Sequence, residues 1–397
     1  GLTNYQRNNR PLLGDGIQAY AKAPGMGMLD ATICDIYLIN ESGEIIGRPI
    51  LTACIDAYSS LCCGYALTWE GGMYSLRQLM LNVVTDKQEL CRKHGINIDS
   101  QEWKFSMCPG VLVTDQGTEY VSNCFEQIAE LGIKVVNLPV YRPELKGNVE
   151  KFFSIIQDLF RPYLKGKGLI EADFQERGAH DYRKDACLTL EQFEKVLIRC
   201  IVYYNSQRVI ENFPYTDDML KSKVSPYASE IFAYGINLDG ANFVKTDKRQ
   251  LMLVLLPRKS GKFTRSGLIV NHVRYKNPNY AEKYLSGGTV TVAYNPDDSS
   301  FVWLVDKGNF IEFELIESRY KSKRFSEIET MQTQKKEIIK SVQEKNTQAK
   351  INLANHIEAI VSNVGNSNGD LSIINQNYEQ EKIKAHVDCM KVGVANE

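Results

Sequence analysis

Short apolar runs separated by turn residues fill the first 140 residues or so of the chain, and a helical repeat interrupts them twice. Their order is β-β-β-α-β-α-β-α, with the polar stretch ESGE at 41–44 as the first turn. It predicts three antiparallel strands and two more that enter by helical crossovers, all in one mixed five-stranded sheet. The predicted elements are strands at 28–39, 48–58 and 62–69, a helix at 74–94, a strand at 111–114, a helix at 124–131, a strand at 134–138 and a helix from about 147.

The rest of the chain changes pattern twice. A helix predicted over 181–205 carries an apolar stripe that should pack on the sheet. Evenly spaced strand patterns between 245 and 316 then predict a small β-barrel. Residues 319–361 follow as one or two long helices, whose thin apolar face suits a solvated or intermolecularly packed helix. The predicted barrel strands lie at 250–256, 263–270, 272–275, 289–294 and 301–304.

The element order is that of an RNase H-like fold, so the predicted fold class is α/β with a barrel and a helical segment after it. The predicted domains are a linker (1–25), an RNase H-like catalytic domain (26–240), a β-barrel domain (241–318), a helical segment (319–362) and a flexible tail (363–397).

Composition narrows the class of protein. The chain has 397 residues with a formal net charge of −1, so affinity for nucleic acid must come from local basic patches. It contains no apolar run of about 18 residues and no recognisable signal peptide, which favours an intracellular protein without a membrane partner. The ten cysteines form no CxxC pair and the five histidines are scattered, so buried free thiols are expected in place of a zinc site or disulfides.

Three carboxylates stand where the predicted elements would aim them together. Asp115 ends a buried strand, and Glu150, separated from it by 34 residues, lies in the first turn of a helix. Asp30 lies inside the first strand, where a carboxylate is costly unless it is paired or ligated. Asp35 and Asp56 compete with Asp30, and we interpret both as structural, Asp56 as a strand-end or turn acid. Three carboxylates without a histidine cluster favour Mg²⁺ or Mn²⁺, and two such ions can carry out phosphodiester chemistry.

Several stretches of sequence resemble one family. LDATICDIYLI, IIGRPILTACIDAYSS, VLVTDQGTEY, RPELKGNVEKFF and HDYRKDACLTLEQF are similar to the DDE transposase and retroviral-integrase superfamily, and most of all to TnsB-type transposases of Tn-seven-like transposons, relatives of Mu transposase. The likeness covers roughly residues 10–320. It implies that Asp30, Asp115 and Glu150 are both the catalytic and the metal-binding residues, for two Mg²⁺ ions that Mn²⁺ can replace.

The resemblance also implies an activity and a set of partners. The activity is cleavage at transposon 3′ ends followed by transfer of the 3′-OH into target DNA. The partners are transposon-end and target DNA, further copies of the chain on paired ends, the AAA+ regulator TnsC through the C-terminal tail, and a TnsA-like endonuclease. The implied location is the bacterial cytoplasm, at the nucleoid. Helix-turn-helix domains that precede the core in this family are expected upstream.

Two basic regions are the expected DNA contacts. One lies around the Glu150 helix and the other in the first half of the barrel, where aromatic residues are interleaved. The candidates are Arg142, Lys146, Asn148, Lys151, Arg258, Lys259, Lys262 and Arg265.

Two alternatives remain open at this stage. The same fold suits a retroviral-integrase-like or RNase H-like nuclease, although no HHCC zinc module accompanies this segment. It also suits a DNA-binding or assembly scaffold without catalytic activity.

Overall fold

A mixed sheet organises the first part of the chain. The computed structural model describes residues 21–114, 126–137, 147–171 and 180–365, and the chain divides into two compact units, residues 1–322 and 323–397. The sheet has the strand order β5-β4-β1-β7-β8, in which β1 pairs antiparallel with β4 and parallel with β7. Its strands are β1 (Met26–Ile33), β4 (Ile50–Asp56), β5 (Cys62–Thr68), β7 (Val111–Thr114) and β8 (Lys134–Asn137).

This arrangement confirms the predicted RNase H-like fold class. The expected strand over residues 28–39 is wrong in one respect, because the chain leaves the sheet after Ile33. A separate two-stranded hairpin follows, formed by β2 (Leu38–Ile39) and β3 (Ile45–Gly47). A further two-stranded ribbon pairs β6 (Cys108–Pro109) with β9 (Phe243–Val244).

The predicted helix over residues 74–94 is two helices, α1 (Gly72–Val84) and α2 (Lys87–Lys93). The backbone of Thr85 is extended, and the Asp86 side chain starts α2 by accepting a hydrogen bond from the Glu89 amide at 2.8 Å. Lys87 closes α1 from inside the core, donating from Nζ to the carbonyls of Asn82 (2.6 Å), Val83 (3.1 Å) and Thr85 (2.9 Å).

Helices cover the sheet and bury its strands. β4 is buried at six successive positions, which requires cover on both faces of the sheet. Helix α1 and a later helix, α3 (Gly147–Leu164), both contact it. The segment predicted as a helix over 124–131 contains a 3-10 helix, Gln127–Leu131. The remaining helices of this part are α3 (Gly147–Leu164), α4 (Leu190–Ser206), α5 (Asp217–Lys221) and α6 (Ala228–Gly235), with a short 3-10 helix at Tyr182–Asp185.

A closed six-stranded barrel with the order β10-β11-β12-β15-β14-β13 follows, as predicted. The expected strand over 263–270 is a hairpin, and the last strand was not predicted. The barrel elements are β10 (Arg258–Thr264), β11 (Gly267–Val270), β12 (Val273–Lys276), a 3-10 helix (Pro278–Tyr280), α8 (Ala281–Ser286), β13 (Gly288–Asn295), β14 (Asp298–Asp306), β15 (Asn309–Leu315) and a 3-10 helix (Ser318–Tyr320).

The expected strand over 250–256 is wrong, because this segment forms helix α7 (Lys248–Val254). Leu251 and Leu255 belong to the hydrophobic core of the sheet, whereas Leu253 and Leu256 pack with the barrel residue Trp303. Because apolar residues are needed on both sides, the segment shows no single helical stripe, and its pattern is that of a buried strand.

The second compact unit contains helix α9 (Phe325–Gly365), which confirms the predicted long helix. Its apolar side chains are largely exposed, Ile338 at 66% and Ile360 at 64%. Among the described residues, no helix combines the length and the apolarity that crossing a membrane requires. The predicted domain boundaries stay predictions.

Candidate active site

Strand β1 carries the first predicted acid in the middle of the sheet. Asp30 lies opposite Ala53 of β4 and is half-buried. One carboxylate oxygen accepts a hydrogen bond from the neighbouring Ala31 amide at 2.9 Å. The three residues before it, ending in Leu29, are fully buried, so Asp30 stands where β1 passes from the core towards solvent.

Strand β7 runs parallel to β1 and ends directly before the second predicted acid. Met28 lies opposite Val113, and Thr114 is the last residue of the strand. The Thr114 hydroxyl donates to the Asn137 side-chain oxygen of β8 at 2.7 Å, which fixes this strand end. Asp115 itself lies outside the described residues. Because parallel β1 and β7 run towards the same sheet edge, the end of β7 lies beside the part of β1 that carries Asp30.

Helix α3 presents the third acid in its first turn. Its apolar face is buried and includes Val149 and Phe153, whereas Glu150 and Lys151 are exposed. The helix contacts both β1 and β4, so the helix that carries Glu150 packs against the strand that carries Asp30. This packing follows from the sequence, because the apolar side chains recur at helical spacing.

Two side-chain hydrogen bonds fix α3 along the sheet. Asn148 donates from Nδ2 to the Ala57 carbonyl at 3.0 Å, and the Gln157 side-chain oxygen accepts from the Asp35 amide at 3.1 Å. Sequence reasoning assigned Asn148 to DNA; the structure gives its amide this additional task, and the DNA contact stays a prediction. Nothing in the local sequence indicates a bond across 91 positions.

The two competing acids have structural partners, as the sequence interpretation proposed. Asp56 is 1% exposed and accepts hydrogen bonds from the Gly25 amide (2.9 Å), the Ser59 amide (2.8 Å) and the Ser59 hydroxyl (2.7 Å). Burial raises the pKa of the Asp56 carboxyl, and the hydrogen bonds from Gly25 and Ser59 oppose that shift. Asp35 pairs with Arg48 at 2.7 Å and with Arg161 at 3.8 Å.

The described residues also include a buried lysine and several buried thiols. Burial lowers the pKa of Lys87 to about 8 and raises the pKa of the Cys34 and Cys108 thiols to about 12. The cysteines of the described residues are free thiols, most of them buried, which agrees with the sequence prediction. The Lys87 site has no signal in the sequence, since a lysine near a helix end is usually exposed.

The predicted basic contacts are distributed unevenly. Lys151, Lys259, Lys262 and Arg265 are exposed, and Lys259 donates to the Asn271 side-chain oxygen at 3.0 Å. Arg258 is different, because both of its terminal nitrogens donate to Glu130 of the 3-10 helix Gln127–Leu131, at 2.7 and 2.8 Å. Arg142 and Lys146 lie outside the described residues.

Two of the three predicted metal ligands lie in the described residues. Asp30 and Glu150 offer the hard oxygen donors that Mg²⁺ prefers. Within the ranges that the structure describes, no three His, Cys, Asp or Glu side chains form a cluster that could hold a metal ion. The predicted third ligand, Asp115, is not in those ranges, so the triad stays a prediction.

Comparison with known families gives two matches. Residues 28–166 match the family model of the TnsB C-terminal domain, and residues 252–312 match that of the Mu transposase C-terminal region. The resemblance to TnsB-type transposases is confirmed. The first match contains Asp30, Asp115 and Glu150, and the second contains most of the barrel.

Curated relatives agree with these matches. Transposon Tn7 transposition protein TnsB of Escherichia coli is 29% identical over 270 residues, which are 66% of this chain and 38% of that protein. The transposase for transposon Tn552 of Staphylococcus aureus is 24% identical over 283 residues, which are 71% of this chain and 52% of that protein. The chain therefore spans about two fifths and about half of the length of these relatives.

Solved structures of integrases are distant neighbours. The catalytic core domain of BIV integrase has a TM-score of 0.31 and 15% identity, covering 53% of this chain and 94% of that one. The HTLV-2 integrase catalytic core domain in complex with magnesium has a TM-score of 0.29 and 15% identity, covering 48% and 91%. The assignment of an RNase H-like fold depends on the strand order and pairing described above.

Proposed function

We propose that this chain contains the catalytic part of a DDE transposase, which cleaves at transposon 3′ ends and joins the freed 3′-OH to target DNA. One observation carries the proposal most directly: within the region that matches the TnsB model, the strand bearing Asp30 pairs with the strand ending before Asp115 and contacts the helix bearing Glu150. Cleavage and joining both substitute an oxygen at a phosphodiester, so one site can serve both.

Asp30, Asp115 and Glu150 would hold two Mg²⁺ ions, or Mn²⁺ in their place. Bound there, the ions would polarise the attacked phosphodiester and stabilise the charge on the leaving oxygen. The protein's own part is to orient the three carboxylates, and the described contacts support this for two of them. β1 is fixed between β4 and β7, and α3 is fixed by Asn148 and its buried apolar face.

DNA would bind along two groups of exposed cations, one around the start of α3 and one on the barrel. Lys151 lies beside Glu150 on the exposed side of α3, and Arg142 and Lys146 precede this helix in the sequence. The exposed barrel residues Lys259, Lys262 and Arg265 would contact the phosphate backbone, where contacts position DNA without reading its sequence. Such binding should weaken steeply with added salt.

The partners belong to the same proposal. Paired transposon ends would be held by several copies of the chain, and a TnsA-like endonuclease would make the second-strand cut. The AAA+ regulator TnsC would dock on the C-terminal tail, of which residues 366–397 lie outside the described ranges.

A joining assay tests the proposal. Full-length protein is incubated with a pre-nicked transposon-end duplex, a plasmid target and Mg²⁺ or Mn²⁺, with Asp115→Asn in parallel. The proposal predicts joined product that disappears with Asp115→Asn. Cutting without joining would indicate a nuclease instead, and end binding with neither reaction, even when TnsC is added, would indicate a scaffold.

A further inference from the structure

The 3-10 helix Gln127–Leu131 is the first described element after the segment that contains Asp115. It leads through Gly132, whose backbone is left-handed (φ 81°), into β8. Its Ile128 is fully buried in the core of the sheet. The helix therefore lies directly before β8, which pairs with β7, the strand that ends at Thr114.

The barrel contacts this 3-10 helix through α7. The segment formed by α7 and the two residues after it places Leu251 and Leu255 in the core of the sheet, and Leu253 and Leu256 beside the barrel residue Trp303. It packs against α1 and against the 3-10 helix. The sheet and the barrel thus share one helix, whose two faces are buried in different cores.

Polar contacts reinforce the same junction. In the amide orientation that satisfies its neighbours, the Gln127 nitrogen donates to the carbonyls of Val254 (2.8 Å) and Leu256 (3.2 Å), at the end of α7. Arg258, the first residue of β10, donates from both terminal nitrogens to the two carboxylate oxygens of Glu130, at 2.7 and 2.8 Å.

The Glu130–Arg258 pair has the geometry of a structural contact. The pairing is bidentate, the strongest and most directional form of the arginine–carboxylate interaction. The Arg258 side chain is only 17% exposed, and its guanidinium carbon lies 5.8 Å from the centre of the Phe310 ring. An arginine already neutralised in this way is a poor phosphate ligand, unlike its exposed neighbours Lys259 and Lys262.

We propose that the Glu130–Arg258 pair is a positioning contact: through it the barrel fixes the 3-10 helix and, with it, the start of β8, which pairs with the strand that ends at Thr114. The catalytic half of this inference rests on the proposed function. Arg258 then acts through Glu130 and not on DNA, which revises the role expected from its place in the basic stretch of the barrel.

A charge exchange tests the proposal. Hydrogen–deuterium exchange of residues 127–137 and the joining assay are measured for Glu130→Arg, Arg258→Glu and the double variant. Each single change should speed exchange there about tenfold and lower joining by a similar factor, because like charges then face each other. The double variant should recover both to within about threefold of the original.

Two further sets of variants keep the test decisive. Glu130→Gln and Arg258→Gln remove the charge without repulsion, and they give the same readouts if a single reversal fails to fold. The matched control is the exposed pair Asp218 and Lys221 on α5, 3.2 Å apart, whose reversal should change neither readout.

Each contrary result overturns the proposal in a distinct way. Unchanged exchange in Arg258→Glu and Arg258→Gln would mean that the pair positions nothing. Exchange that recovers in the double variant while joining does not would mean that Arg258 itself contacts DNA. If the unaltered protein joins no DNA even with TnsC, the proposed function fails, and the exchange measurements still decide whether the pair positions the 3-10 helix.

Discussion

The buried acid Asp56 and the two accessible acids, Asp30 and Glu150, have opposite surroundings. Asp56 is buried and accepts three hydrogen bonds, from the Gly25 amide and from the amide and hydroxyl of Ser59. Asp30 is half-buried, and Glu150 is exposed in the first turn of its helix. The two aspartates lie on adjacent strands, three register positions apart. Two aspartates of one sheet therefore differ in their access to solvent, and we propose that the accessible one belongs to the metal site.

The strongest test of this contrast removes the accessible acids. Asp30→Asn or Glu150→Gln should lower joined product by about a thousandfold or more, since a metal site that loses a carboxylate loses much of its electrostatic stabilisation. The unfolding free energy of Glu150→Gln should change by less than about 0.5 kcal/mol, because the side chain is exposed. Joining and urea unfolding of the same samples check both expectations. Joining that persists in either variant would contradict the assignment.

Removing the buried acid Asp56 should instead have a large effect on stability. Asp56→Ala leaves the amides of Gly25 and Ser59 buried without their acceptor, which should cost about 3 kcal/mol of unfolding free energy. Urea denaturation measures this cost, and Asp218→Ala, at an exposed position, serves as the control. A loss below about 0.5 kcal/mol would show that Asp56 does not hold the start of β1.

A third test compares buried and exposed groups by raising the pH, which titrates the buried thiols of Cys34 and Cys108. The folded-state pKa values of Cys34 and Cys108, about 12, lie above the ordinary thiol value of 9.0. Stability from these groups is therefore complete below pH 9 and is lost as the pH rises towards 12. Each thiol should contribute a slope of up to about 1.4 kcal/mol per pH unit.

Urea unfolding under reducing conditions at several pH values measures that slope. Cys34→Ala should flatten it by about one thiol's share, whereas Cys187→Ala, at an exposed position, should leave it unchanged. A slope that is identical in all three proteins would contradict the expected effect of burial at Cys34.

The smallest expected effect concerns Asn148, which lies in the same helix as Glu150 and bonds to Ala57, the residue after Asp56. Asn148→Ala removes the bond to the Ala57 carbonyl and should lower the unfolding free energy by about 1 kcal/mol. Lys151→Ala, on the exposed side of the same helix, should not change it. Equal unfolding free energies for Asn148→Ala and the original chain would show that this bond does not fix α3.

The sequence predicted the sheet well because its signals are local. Apolar runs bounded by turn residues located all five strands, and helical spacing of residues such as Val149 and Phe152 located α3. The break in the predicted 74–94 helix was missed because the Lys87 ammonium that ends α1 is buried, a rare position for lysine. α7 was predicted as a strand because two different cores bury its opposite faces.

The candidate site likewise combines residues with a local sequence signal and contacts without one. Asp30 and Glu150 could be proposed as site residues because each is an acid at a defined place in a strongly patterned element. Contacts such as Glu130 with Arg258, separated by 128 positions, leave no local trace. An arginine in a basic stretch predicts a DNA contact by its composition, and only the folded chain shows which carboxylate already neutralises it.

The most direct test of the central claim is where Mn²⁺ binds. Anomalous scattering at the manganese absorption edge, from crystals of the chain grown with Mn²⁺, would locate the ion without relying on activity. If these three carboxylates form the metal site, one or two peaks should lie beside Asp30, Asp115 and Glu150, and Glu150→Gln should remove or weaken at least one of them. Bound Mn²⁺ elsewhere, with no density between these three side chains, would contradict it.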